Sequence, residues 1–292
     1  MSERTGSGLA FEVAGDGPPV LLIHEGISDR TFWDPQWESR DWRRRLTMVR
    51  YDQRGFGESA DPSGPYSLHE DALEVLDAAG VERTALIGAS IGGAAAIDLV
   101  LSAPKRIEAV VAVAATPGGW EHSAEQMAKF AEIDETWERG GIDAANELEL
   151  RMWVDGVGRT AADVEPVVRE AIAHVNRALI ERQGGWAEEI EPTELEPPAI
   201  ERLEEIAAPV LVVTGAHDQP SVNAGAAALA AGTGAETIEI AGTAHAISLE
   251  RPSEFAQAVV PFIEHAVGGR GDSLASTGAQ PAGGASWHGS CT

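Results

Sequence analysis

Cysteine is almost missing from this chain: among its 292 residues the only one is Cys291. A lone thiol closes no intramolecular disulfide and builds no cysteine-based zinc site, so packing and hydrogen bonds have to hold the fold. Positive charge is scarce as well, with 21 Lys and Arg against 47 Asp and Glu and a formal net charge of −26. A surface so acidic repels nucleic-acid phosphates and anionic membranes, and neither is expected as a partner. Long apolar runs are absent too. No stretch reaches the roughly 18 apolar residues that suggest a membrane span, and the opening MSERTGSG lacks the apolar core of a signal peptide. The expectation is a cytoplasmic protein that acts on a small molecule, while its oligomeric state is not legible.

What the chain does contain is a recurring alternation. Hydrophobic residues make up 43% of it, and its length suits one domain carrying an insertion. Short apolar runs, FEVAG, PPVLLIHE, LTMVRYD, RTALIGA, IEAVVAVAA, APVLVVTGA and ETIEIAG, are bounded by turn residues. Several are β-branched and nearly continuous, as strands buried on both faces of a parallel sheet are. Helical patterns lie between them. SLHEDALEVLDAAGVER places Leu68, Ala72, Val75, Leu76 and Ala79 on one face and ends at Gly80, a C-cap signal. IGGAAAIDLVLSAP stops at Pro104, and PSEFAQAVVPFIEHAV follows the last strand. Such alternation predicts an α/β fold with a doubly wound, mostly parallel sheet.

From residue 118 to 198 the alternation breaks. Trp120, Met127, Phe130, Trp137, Met152, Trp153 and Trp186 are spread among Glu and Arg with helical spacing, which predicts a helical cap inserted into a core formed by residues 1–117 and 199–267. Residues 268–292 are small, polar and aperiodic, and are expected to be disordered.

Gly88-Ala89-Ser90-Ile91-Gly92 fits G-x-S-x-G, a turn in which a strand passes sharply into a helix and presents a serine. The pattern arises easily by chance in a chain with 32 glycines; its place between the strand ALI and the helix GAAAIDLVL, Gly93 to Leu101, is what gives it weight. A serine hydroxyl needs a base, and the base needs a group that fixes its tautomer. Of the eight histidines, His245 is the one expected in a loop at the carboxyl edge of the sheet, between ETIEIAG and the last helix. Asp218 follows VLVVTGA at the same edge, where open α/β sheets bind ligands.

With these residues in place the chain resembles the α/β-hydrolase family. The order Ser90, Asp218, His245 matches that family's nucleophile, acid and histidine, and Asp52-Gln53-Arg54-Gly55-Phe56-Gly57-Glu58-Ser59 resembles its D-x-R-G-x-G-x-S loop, in which Asp52 and Arg54 are structural. The resemblance implies an oxyanion hole made by the backbone N–H groups of Ile91 and of Gly26. The family's H-G-x loop reads His24-Glu25-Gly26 here, and because a carboxylate opposes an oxyanion, the Glu25 side chain is expected to turn outward. Trp33, Trp120 and Trp153 are candidate pocket residues, with core packing the competing role for Trp33. The implied activity is cleavage of a carboxylic ester or lactone of a small neutral substrate through an acyl-enzyme, with no metal or cofactor. The same triad also serves carbon–carbon bond hydrolases, acyltransferases, thioesterases and cofactor-free haloperoxidases, and the fold occurs in non-catalytic ligand receptors.

Overall fold

The computed structural model describes the backbone of residues 2–184 and 190–275, and side chains as far as Gly268. Strands β1 (Glu3–Arg4), β2 (Ala10–Ala14), β3 (Pro19–Ile23) and β4 (Thr47–Tyr51) come first, with two short helices, α1 (Asp34–Glu38) and α2 (Arg40–Arg45), between β3 and β4. Then follow α3 (Leu68–Ala78), β5 (Thr84–Ala89), α4 (Ile91–Ser102) and β6 (Ile107–Val113). The insertion holds α5 (Ala124–Glu138), α6 (Ile142–Glu149), a π-turn at Leu150–Asp155 and α7 (Pro166–Gln183). The chain closes with β7 (Val210–Gly215), α8 (Pro220–Thr233), β8 (Glu236–Ile240), α9 (Ile247–Glu250) and α10 (Pro252–Ala275).

The strands form one sheet of eight in the order β1-β2-β4-β3-β5-β6-β7-β8. Only the β1-β2-β4 edge is antiparallel, and from β4 to β8 every pairing is parallel. All residues of β5, β6 and β7 are buried, as continuous apolar strands between two helical layers should be. The period of two then sorts side chains by face. Leu22, Ile87, Val111 and Val213 join Trp42, Phe255 and Val259 on one side, whereas Ile23, Leu86, Val110 and Val212 join Leu76, Val100 and Leu229 on the other. Fully burying each such Val, Leu or Ile contributes about 1.5–3 kcal/mol, which fixes the strand register and with it the position of every loop at the sheet's carboxyl edge.

Among the described residues the insertion pairs no strand with the sheet; an isolated bridge joins Tyr66 to Pro192. It is tied down by polar contacts. Arg182, near the end of α7, donates to the carbonyls of Gly57 and Ser59 at 2.7 and 2.6 Å and to Asp61 at 2.7 Å. Trp186 lies outside the described residues. Helix α10 runs on to Ala275, past the start of the expected disorder at residue 268, since a helix already nucleated adds one backbone bond per residue without any apolar period. Residues 276–292 lie outside the described residues. No described helix is long and apolar enough to cross a membrane.

Candidate active site

Strand β5 ends in a turn that only small neighbours permit. Ser90 has φ 53° and ψ −119°, a region a non-glycine residue enters only when its surroundings hold it there. Its N–H donates to Val113 O at 2.9 Å, and its carbonyl accepts from Gly93 and Ala94 at 2.8 and 3.0 Å. A Cβ at Gly88 would lie 2.2 Å from Gly92 O, and one at Gly92 would lie 2.5 Å from His24 O. Both flanking glycines are therefore required by contact with backbone.

His245 and Asp218 are brought together through the pairing of β7 with β8. Gly215, at the end of β7, lets the two following loops touch, since a Cβ there would sit 2.0 Å from Ala244 O, and His217 N donates to Thr243 O at 2.8 Å. This puts His245 Nδ1 2.8 Å from Asp218 Oδ2. The other Asp218 oxygen accepts the Gln219 N–H at 2.7 Å. Asp218 and His245 are 3% and 4% exposed. Burial alone would lower the His245 pKa, but the Asp218 charge and hydrogen bond, together with the Glu25 charge, outweigh it and hold the imidazole above its ordinary 6.5. With Nδ1–H committed to Asp218, Nε2 is the ring nitrogen left free to take a proton.

Ser90 and His245 face one cavity of about 320 Å³. No hydrogen bond joins their side chains among the described residues, and such contacts commonly close only around substrate. Gly26 and Ile91 line the same cavity and lie side by side, a Cβ on Gly26 falling 3.5 Å from Ile91 Cδ1. Among the described residues neither of their N–H groups has an acceptor in the protein. The Gly26 loop is held from below: His24 accepts the Gln53 N–H on Nε2 at 3.0 Å and donates from Nδ1 to Glu25 O at 2.7 Å. Asp52 and Arg54 lie outside the described lining of this cavity. Asp52 accepts the N–H groups of Arg30 and Glu58 at 2.9 and 2.7 Å, and Arg54 grips Asp71 through Nε at 2.9 Å and Nη2 at 2.5 Å.

Three expectations change. Glu25 does not turn outward: it is 3% exposed and lines the cavity with Ser90. Burial raises its pKa to about 7 against the opposing pull of His245 and of the Ile27 N–H, and the loop backbone fixed by His24 dictates the inward direction. Trp33 is wholly buried in the core, edge-on to Phe32 at 4.9 Å and 6.1 Å from Phe255, where its bulk fills space beneath the sheet. Trp120 lies on α8, its Nε1–H donating to Ser221 O at 3.2 Å, so neither indole lines this cavity. Trp153 does, with its ring centroid 4.5 Å from that of His245.

Arg159, not singled out by any sequence pattern, braces the loop that carries His245. It donates to Glu250 at 2.6 and 3.2 Å and to the carbonyls of Val154, Asp155 and Gly242 at 2.7 Å each. Glu250 in turn accepts the Ala244 N–H at 2.7 Å, and Trp153 O accepts the His245 N–H at 3.1 Å. The insertion thus holds the histidine loop from its own side.

A family profile described as "Alpha/beta hydrolase family" matches residues 20–258. RutD of Azorhizobium caulinodans, named for carbamate hydrolysis, is 37% identical over 115 residues, 38% of this chain and 41% of its own; the match thus spans less than half the length of that relative. The carboxylesterase YbfK of Bacillus subtilis is 27% identical over 263 residues, 85% of this chain and 81% of its own. Among solved structures, a hydrolase from Pseudomonas aeruginosa PA01 superposes with a TM-score of 0.71 at 27% identity, covering 90% of this chain and 97% of its own.

Proposed function

The chain belongs to the alpha/beta hydrolase family, and from that premise we propose that it is a serine hydrolase cleaving carboxylic esters or lactones through an acyl-enzyme. One observation carries the reading: a serine held at φ 53° faces one cavity with a histidine whose Nδ1 lies 2.8 Å from a buried aspartate. The carboxylesterase relative supports the bond class.

In this reading Ser90 Oγ attacks the substrate carbonyl while His245 Nε2 takes its proton. Asp218 keeps the imidazole in the right tautomer and stabilises the imidazolium that forms. The N–H groups of Ile91 and Gly26 donate to the tetrahedral oxyanion, reinforced by the positive end of α4, whose first residue is Ile91. His245 then returns the proton to the leaving alcohol, and water activated by the same nitrogen releases the acid. No step calls for a metal or an organic cofactor. We assign residues 118–198 as a cap over this site, since Phe130, Ile133, Met152 and Trp153 from the insertion wall the cavity. The substrate is a small molecule, in keeping with the cavity's size.

Turnover of a panel of aryl esters and lactones tests the reaction, and mass spectrometry after fluorophosphonate treatment tests the nucleophile. The label is expected on Ser90, and Ser90→Ala is expected to lose on the order of 10⁴-fold or more in turnover. A label found elsewhere, or turnover retained in Ser90→Ala, refutes the assignment.

A further inference from the structure

Five acids that the fold buries outside this cavity each hold an arginine: Asp52 with Arg30, Asp71 with Arg54, Glu108 with Arg83, Asp155 with Arg169 and Glu250 with Arg159. The pairing has a plain cause, since a carboxylate taken out of water without a counter-charge is costly. The acids around Ser90 depart from it: the base that faces Glu25 is the His245 imidazole, whose Nδ1 is already engaged by Asp218. Glu25, Asp134 and Glu149 line the cavity, and its described lining contains no lysine or arginine. Glu149 accepts a hydrogen bond from Asn176 Nδ2, and Asp134 stands exposed at the rim. Glu25 is the sharpest case: it is 3% exposed, and its Oε1 has no hydrogen-bond partner among the described residues. A second cavity of about 430 Å³ adjoins the first through Ile133, Asp134 and Glu149, adds Glu138 and Glu191, and again shows no lysine or arginine in its described lining. Asp98 is another buried acid without an arginine partner, and it lines neither cavity.

Resting on the reading of Ser90 as the nucleophile of an ester hydrolase, we propose that this cavity takes substrates that carry a protonated amine, and that Glu25 receives the ammonium group. An ammonium offers three donors and a full positive charge to the unpartnered Glu25 oxygen. Phe130, Ile133 and Met152 supply an apolar wall for the carbon chain that bears it, and the Phe130 and Trp153 rings add faces a cation favours. An anionic substrate meets three carboxyl groups instead, and a neutral one, expected from the sequence, leaves the Glu25 oxygen unmatched.

Calorimetric titration tests this without using turnover. Hexylammonium, 1-hexanol and hexanoate are titrated into the full chain at about pH 8, above the Glu25 midpoint of about 7, and at physiological ionic strength. Hexylammonium is expected to bind at least about tenfold more tightly than hexanol, and hexanoate more weakly than either. Glu25→Gln keeps the shape, removes the charge and is expected to reduce the hexylammonium preference about tenfold. Asp16→Asn removes an exposed charge in the connection between β2 and β3 and is expected to keep the preference, which separates a local contact from attraction by the net charge of −26. Equal binding of hexylammonium and hexanol, tighter binding of hexanoate, or an unchanged preference in Glu25→Gln overturns the proposal. Should Glu25→Gln fail to fold, the comparison of the three compounds on the unaltered chain decides. Cation binding with no fluorophosphonate label on Ser90 supports the ammonium site while refuting the hydrolase reading, so the two failures are distinct.

Discussion

Arg159→Met keeps the length and apolar stem of the side chain while deleting the guanidinium, and it is expected to damage both stability and turnover. In the native fold the Arg159 and Glu250 side chains are 7% and 4% exposed and meet in a bidentate pair, and the same guanidinium satisfies three backbone carbonyls. Removing one partner leaves Glu250 charged and buried with only the Ala244 N–H to bind. Breaking a buried pair in this way costs about 3–5 kcal/mol, and for domains near this size each kcal/mol lowers Tm by about 2–4 °C. Tm is thus expected to fall by about 6–20 °C. Because Glu250 and Gly242 flank the His245 loop, kcat/KM for an aryl ester is expected to fall about tenfold at a temperature where the variant is still folded. Adding Glu250→Gln to Arg159→Met removes the orphaned charge and is expected to recover part of the lost Tm, since the two sites share one interaction. Differential scanning calorimetry reads the first effect and ester hydrolysis the second. A Tm within about 3 °C of the parent refutes the reasoning, because it means that water reaches Glu250 and that the brace is not buried in solution.

Asp218→Asn is expected to cost on the order of 10⁴-fold in kcat by favouring the wrong imidazole tautomer; a loss below about tenfold in a steady-state assay moves the acid to another residue. With His245 as the proposed base the rate requires its neutral form, and because Asp218 and Glu25 hold its pKa above the ordinary 6.5, kcat/KM is expected to rise with pH through a midpoint above that value; a flat profile between about pH 5 and 8 excludes a histidine base. Glu25, whose pKa is raised from 4.5 to about 7, binds its proton more tightly in the folded chain, so it costs stability increasingly as pH rises from 4.5 through about 7. Glu25→Gln is accordingly expected to melt higher than the parent at about pH 8, and to lose that advantage at about pH 4; thermal melts at both values check the sign.

How much of this was written in the sequence depends on whether a residue's surroundings are local. The inner strands β3 to β7 were legible because burial on both faces demands nearly unbroken apolar runs, as in IEAVVAV of β6, whereas β2 and β8 mix apolar residues with exposed Glu or Val. The two-residue β1 carries no such run and gave no signal. The elbow was legible from its own pattern, Gly88 meeting the Gly92 carbonyl within the same turn, although the need for Gly92 itself comes from the Ile23 and His24 carbonyls at the end of β3. Placing Asp218 and His245 together needed only adjacent strands, and the structure joins them at 2.8 Å. Side-chain direction in the loops was not legible. Glu25 points inward because His24 and Gln53 fix its backbone, and Gln53 sits on a loop after a different strand. Indoles misled for a related reason: Trp33 and Trp153 are equally large and apolar, and only the distant partner, Phe255 in one case and His245 in the other, decides which packs in the core and which walls a cavity. Arg159 lies in DGVGRT, where nothing in the spacing points to a carboxylate on α9.

The contacts that hold the strained serine have a bearing on how the protein is made. Ser90 is fixed by Val113, by Gly88 and Gly92, and by the carbonyl of His24, all supplied by the first part of the chain to leave a ribosome. Asp218 and His245 emerge about 105 and 130 residues after Val113, a delay on the order of 10 s at ordinary synthesis rates. Throughout that interval a nascent chain exposes a serine hydroxyl without a base, and such a hydroxyl is a poor nucleophile. On the proposed reading reactivity is therefore conferred late, once β7 and β8 are in place, and a translation product truncated before His245 is expected to show no ester turnover.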